Sequence, residues 1–154
     1  MTLTQPDARP IKLTKKERKK HGIKWGRTAY VLNNDWCYKW EIEGRIRRIN
    51  MPKGFIYDLA SVPRAGALIG IHPDGLHRAA ATIHDWIYEH EGELPKGSYQ
   101  EFIDGEWVDL DDVWIRENAD RIFCRIMKES GVGRKRRWIM FKVVHRLGWI
   151  AWRD

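Results

Sequence analysis

Alternation of apolar and polar residues is the first organised signal in the chain. In "DWCYKWEIEGRIRRIN" the residues Trp36, Tyr38, Trp40 and Ile42 fall on one face of an extended chain and Cys37, Lys39 and Glu41 on the other. Glu43-Gly44 breaks the run before Arg45–Asn50 and predicts an antiparallel hairpin. "AYVL" before it and "GFIYD" after it carry the strand pattern from Thr28 to Tyr57, a small meander whose apolar face needs a second layer. "DLASVPRAG" closes this region, because Pro63 has no N–H for a ladder and biases Val62 toward extended backbone.

Beyond it the period changes to that of a helix. Leu76, Ala80, Ile83 and Ile87 share a face and predict a helix from about Leu76 to Glu89. Ile115, Ala119, Ile122 and Ile126 predict a second from about Asp111 to Ser130, with Gly131 as its stop. A third, from about Lys135 to Leu147, is expected to turn Trp138, Phe141, Val144 and Leu147 inward. Between the first two helices, "YQEFIDGEWVDL" places Asp104-Gly105 between two short strand-like runs, a type I′ hairpin signal read as an exposed insertion near 98–110. The expected fold is α+β: a small N-terminal antiparallel sheet, built of meander and hairpins, packed against about three helices.

Composition sets limits on this picture. A chain of 154 residues suits one globular domain, expected over 25–154, behind a basic arm at 1–24. "KLTKKERKKHGIK" in that arm holds seven Lys or Arg with little to bury, and Thr14 with Glu17 forms a capping-box pattern. The two cysteines, Cys37 and Cys124, suggest neither a disulfide framework nor a zinc ribbon, so a reducing cytoplasm is the expected folding compartment. The opening residues lack the apolar core of a signal peptide, and no stretch reaches the ~18 apolar residues of a membrane span.

Charge is unevenly spread around a formal net of +7. Residues 1–50 carry 13 Lys/Arg against 5 Asp/Glu, residues 51–133 carry 8 against 15, and residues 134–154 carry 7 against 1. Basic ends therefore flank an acidic middle, which suits contact with nucleic acid or an acidic partner, or a self-complementary chain whose ends lie over its centre. Lys15, Lys16, Arg18, Lys19 and Lys20 in the arm, and Arg134, Arg136 and Arg137 in "GRKRRWIMFK", are the candidate partner-binding cations. Nine tryptophans add area for a core or an interface.

Candidate chemistry gathers at "ATIHDWIYEH". His84 and Tyr88 are four residues apart on one helical face, with Asp85 one step round. Asp120 follows a stripe position of the next long helix. If the two helices pack together, Asp120 reaches His84, fixes its tautomer and leaves the other ring nitrogen for a metal or a water. The alternative is a buried polar pair that sets helix register. Asp58 has two readings as well: a turn cap through Ser61, or a third ligand at the site.

"GFIYDLASVPR", "AATIHDWIYE" and "ADRIFCRIMKESGV", in that order, resemble the family known as domain of unknown function 1353, of tailed bacteriophages and prophages. Asp58, Ser61, Pro63, His84, Asp85, Tyr88, Asp120 and Phe123 fall on its recurring positions; Tyr57 and the acidic hairpin around Asp104 depart from them. The resemblance implies phage origin and no assigned activity. "HDWIY" with the later Asp-x-x-Phe is also similar to the helix pair of secreted and parvoviral phospholipases A2. That similarity implies His84 as general base, Asp85 as a calcium ligand and Asp120 as the orienting carboxylate. The glycine-rich calcium loop and the disulfides of those enzymes have no counterpart here.

Three functions follow as expectations. The leading one is a virion-associated head, neck or tail component that binds other phage proteins or copies of itself, made in the host cytoplasm and assembled into the particle. The second is a metal-dependent hydrolase with His84, Asp120 and Ser61 as catalytic residues and Asp85, Asp58 and His84 as ligands to a divalent ion, calcium or zinc. The third is a nucleic-acid-binding accessory protein acting through the basic ends.

Overall fold

The computed structural model describes residues 3–59 and 77–152, with the side chains of 147–151 left aside. The fold is α+β, with two antiparallel sheets and four helices among the described residues, and the N-terminal sheet is present. The meander is divided between the two sheets. β1 (Ala8–Ile11), β2 (Ala29–Leu32) and β5 (Ile56–Tyr57) form the first, in the order β1-β2-β5. β3 (Trp36–Ile42), β4 (Arg45–Met51), β6 (Tyr99–Ile103) and β7 (Glu106–Asp109) form the second, in that order.

The two predicted hairpin turns form for the stated reason. Glu43 and Gly44 have φ of 51° and 74°, Asp104 and Gly105 of 49° and 91°, the left-handed pairs that a type I′ connection requires. The second hairpin is part of the larger sheet, because β6 pairs with β4 through Ile49↔Tyr99 and Arg47↔Glu101. The inner face of that sheet carries Trp36, Tyr38, Trp40, Ile49, Met51 and Tyr99, all buried. Trp40 lies between Tyr38 and Tyr99 at 5.5 and 6.1 Å, with Trp114 edge-on at 6.2 Å. Aromatic pairs of this kind add roughly 0.5–1.5 kcal/mol each beyond their buried area. Ile42, at the far end of the row, is 43% exposed.

The N-terminal segment is tied to the body at several points. β1 pairs with β2, the Trp36 indole N–H donates to the Thr4 carbonyl at 3.2 Å, and Gln5 accepts the Ala79 N–H at 3.0 Å. α1 (Lys15–Lys20) opens with the expected capping box: Thr14 N–H reaches Glu17 at 2.8 Å and Glu17 N–H reaches Thr14 Oγ1 at 3.2 Å. It buries no residue.

Three longer helices complete the layer: α2 (Arg78–Glu89), α3 (Arg116–Glu129) and α4 (Arg134–Ala151). Ala80, Ile83 and Ile87 are buried on α2 as the periodicity required; Leu76 and Ser61 lie outside the described residues. α3 begins five residues later than expected. Residues 111–115 stay out of the helix, where Trp114 lays its ring against Trp40 and Tyr99 and its backbone N–H donates to the Gly92 carbonyl at 2.9 Å. Ile115 is consequently 54% exposed, and the α3 stripe is Ala119, Ile122, Phe123, Ile126 and Met127. Its end is a Schellman arrangement, with Val132 N–H on Met127 O at 2.9 Å and Gly131, at φ 81°, on Lys128 O at 3.1 Å.

On α4 Val144 is buried as expected, but the inward stripe shifts from Trp138, which is 63% exposed, to Met140. The basic run at the helix start explains the shift: turning Trp138 inward would also turn its cationic neighbours toward the core, where desolvation is costly. Phe141 is half-buried, and the Leu147 side chain lies outside those described.

Candidate functional site: a buried carboxylate with three donors

α2 and α3 pack side by side, and one polar cluster forms in the seam. His84 Nε2 lies 2.9 Å from Asp120 Oδ1, with side-chain exposures of 4% and 0%. Tyr88, one turn along α2, donates its hydroxyl to the same oxygen at 3.0 Å. His145 Nδ1, from α4, meets Asp120 Oδ2 at 3.1 Å. The carboxylate is thus satisfied from three side chains on two neighbouring helices. Aromatic rings enclose the imidazole of His84: Tyr88 at 4.0 Å and Phe123 at 5.2 Å.

Electrostatics fix the protonation states. Burial alone raises the Asp120 carboxyl, but the hydrogen bonds from His84 above all, and from His145 and Tyr88, hold it below its ordinary 3.8. It is therefore ionised at neutral pH. Burial pushes the His84 imidazole below its ordinary 6.5, against the pull of Asp120, so the ring is neutral there. An ionised carboxylate only accepts, so Nε2 carries the hydrogen and the lone pair sits on Nδ1. Burial, with Asp120 next to it, pushes the Tyr88 phenol well above the usual range, which keeps it a donor.

Of the expected residues, the structure brings His84 and Asp120 together, with Tyr88 beside them. Asp58 makes a 3.8 Å ion pair with Arg27. Asp85 is half-buried and exerts its charge on the buried Tyr57 hydroxyl, which burial chiefly pushes up to about 12. Among the described residues no group of three His, Cys, Asp or Glu side chains is disposed to hold a metal ion. Lys15, Lys16, Lys19, Lys20, Arg134 and Arg136 are exposed. Arg18 instead works within the fold, donating to the carbonyls of Lys24 and Arg27 at 3.3 and 2.9 Å beneath Trp25. Arg137 is half-buried against a groove between α3 and α4.

His145 is the member that sequence reasoning missed. Its only local signal is Phe141 four residues earlier, which stacks on it at 5.7 Å. Its partner lies 25 residues away on another helix, and the side chain is 43% exposed. A half-exposed histidine on a basic helix gives no periodicity from which to infer a buried acceptor.

The family described as "Protein of unknown function (DUF1353)" matches residues 30–144. The chain belongs to this family. The DUF1353 match takes in β2 to β7, α2, α3 and most of α4, and hence His84, Tyr88 and Asp120; it stops one residue before His145. No curated protein and no solved structure matches the chain.

Proposed function

We propose that this DUF1353 protein is a hydrolase of the phospholipase A2 type, with His84 as its general base. The observation that carries the reading is the 2.9 Å bond from His84 Nε2 to a carboxylate with no solvent exposure. That bond leaves a neutral imidazole with its lone pair on the opposite nitrogen, the state a general base needs. In the reaction Nδ1 takes a proton from water as the water oxygen bonds to an ester carbonyl carbon. The ester C–O bond then breaks, and the imidazolium returns the proton to the departing alkoxide. Asp120 holds the imidazolium through the interval, as the buried carboxylate of a catalytic triad does.

The test is release of fatty acid from phospholipid vesicles by the purified full chain, with calcium, with zinc and with chelator in separate arms. His84→Ala is expected to lower turnover by 10²-fold or more, a typical general-base contribution, and to cost about 1–3 kcal/mol of stability. His145→Ala, which leaves the His84–Asp120 bond in place, is expected to retain most of the activity. Wild-type protein without ester hydrolysis in any arm would reduce the cluster to a register-fixing polar pair.

A second reading concerns where the chain works. The resemblance to phage sequences, together with exposed Trp25 and Trp138 at 75% and 63% beside basic runs, supports a virion-associated component that docks on other phage proteins. It is compatible with the first. Mass spectrometry of purified particles is expected to find the chain at a stoichiometry matching a symmetric ring, and its absence there would remove this reading.

A further inference from the structure

The exposed apolar side chains are not scattered. Five of the eight large ones exposed among the described residues, Phe102, Ile103, Val108, Val113 and Ile115, lie on the β6–β7 hairpin or the strap that follows it. The same segment, 98–115, contains six Asp or Glu and no Lys or Arg. Glu101 is paired with Arg47 at 2.7 Å and Asp109 accepts from Gln100. Asp104, Glu106, Asp111 and Asp112 are exposed and make no ion pair among the described residues. Phe102 packs on Trp107 across the hairpin at 5.2 Å; the apolar surface left facing water gains nothing there, and clustered like charges repel.

A surface of opposite character lies between α3 and α4. Arg121, Arg125 and Lys128, spaced four and three residues apart on one face of α3, line a groove of about 700 Å³ with Arg137 and Phe141 of α4. Its single carboxylate, Glu129, is already taken by Arg125 at 2.9 Å and by the Tyr38 hydroxyl at 2.8 Å. Arg121, Lys128 and Arg137 have no acidic partner among the described residues. Same-sign neighbours at this spacing destabilise an isolated helix, so the stripe is tolerated rather than favoured.

We propose that the acidic β6–β7 hairpin and strap of one copy dock in the basic α3–α4 groove of a second copy, head to tail. A nucleic acid would match the charge of the groove but leave the acidic, apolar hairpin repelled and uncovered; a second copy accounts for both surfaces at once. Because the two patches differ, the contact is heterologous: each copy keeps a free groove at one end and a free hairpin at the other. Such contacts propagate into a closed ring or an open filament. Charge pairing sets partner and register, and the apolar side chains supply the buried area.

Sedimentation velocity of the full chain at rising concentration tests this. Self-association is expected at low salt, weakening at least about tenfold when added salt cuts the screening length several-fold. Arg121→Glu with Lys128→Glu is expected to abolish it, and so is Asp104→Lys with Asp111→Lys in a separate variant, each still folded by circular dichroism. Mixing the two variants in equal amounts is expected to restore association, since each reversed groove then meets a reversed hairpin. As a second readout, Cys124, which also lines the groove, is expected to react more slowly with a maleimide in the assembled state, while Cys37 does not change. A wild-type chain that stays monomeric at all concentrations overturns the proposal. So does association indifferent to the hairpin reversal, or a mixture that fails to reassociate. Tight capture of a single-stranded oligonucleotide by a monomer, lost in the groove variant, would assign the groove to nucleic acid instead.

Discussion

Asp120→Ala is expected to lower the stability of the protein by about 3–5 kcal/mol, read as the shift in urea midpoint at unchanged slope. Breaking a buried, hydrogen-bonded charge arrangement by removing one partner costs this much because the groups left behind cannot recover water. Here the removed carboxylate serves three donors: His84 Nε2 and the Tyr88 hydroxyl lose their shared acceptor in the seam, and His145 loses its anchor to α3. Asp120→Asn should cost less, about 1–3 kcal/mol, since the amide oxygen can serve one side of the cluster while its NH₂ opposes a donor on the other. If alanine and asparagine are equally mild, within about 0.5 kcal/mol of wild type, the cluster does not hold the helices together.

The same cluster gives the protein an acid limit with a defined sign. The folded His84 resists protonation, so below its ordinary 6.5 the unfolded chain takes up a proton that the native chain does not, and stability falls as pH drops. Asp120 acts in the same direction at lower pH: its folded carboxyl stays ionised below the ordinary 3.8, and its stabilisation is lost as pH falls through the depressed folded value. Urea midpoints should therefore decline in two acid steps, and Asp120→Asn should remove the second.

What the sequence made legible follows the range of the forces involved. Hairpin turns depend on two adjacent backbone conformations, and Glu43-Gly44 and Asp104-Gly105 state them locally. The α2 face is equally legible, because Ala80, Ile83 and Ile87 answer to one burial surface. The start of α3 was not, since the strap before it stays out of the helix where Trp114 packs on Trp40 and Tyr99, residues from other strands. Trp138 misled for a related reason: on a helix whose first turn is basic, hydrophobicity alone does not say which stripe turns inward. In the site, the His84–Asp120 pair was readable from two helical periods that must face one another. His145 was not, because the rotation of α4 against α3 is a property of the packed core.

Gly92→Ala is expected to cost about 3 kcal/mol or more, against about 1 kcal/mol for Gly97→Ala, and the contrast isolates what holds α2 to the strap. Both glycines have left-handed backbone, at φ +84° and +79°, so alanine meets a comparable conformational penalty of about 1 kcal/mol at each. A Cβ at Gly97 would meet nothing within 4 Å, whereas at Gly92 it would overlap the backbone carbonyl oxygen of Trp114 and crowd the ring of Trp152. A side chain could rotate away; a carbonyl in a strap pinned by the Trp114 N–H to Gly92 O bond cannot move without unseating Trp114 from Tyr99 and Trp40. Since that strap delivers the chain into α3, displacing it shifts Asp120 relative to His84, and the variant should lose the proposed ester hydrolysis along with stability. Equal losses for the two substitutions would mean that the strap yields freely and that the seam is positioned by the helices alone.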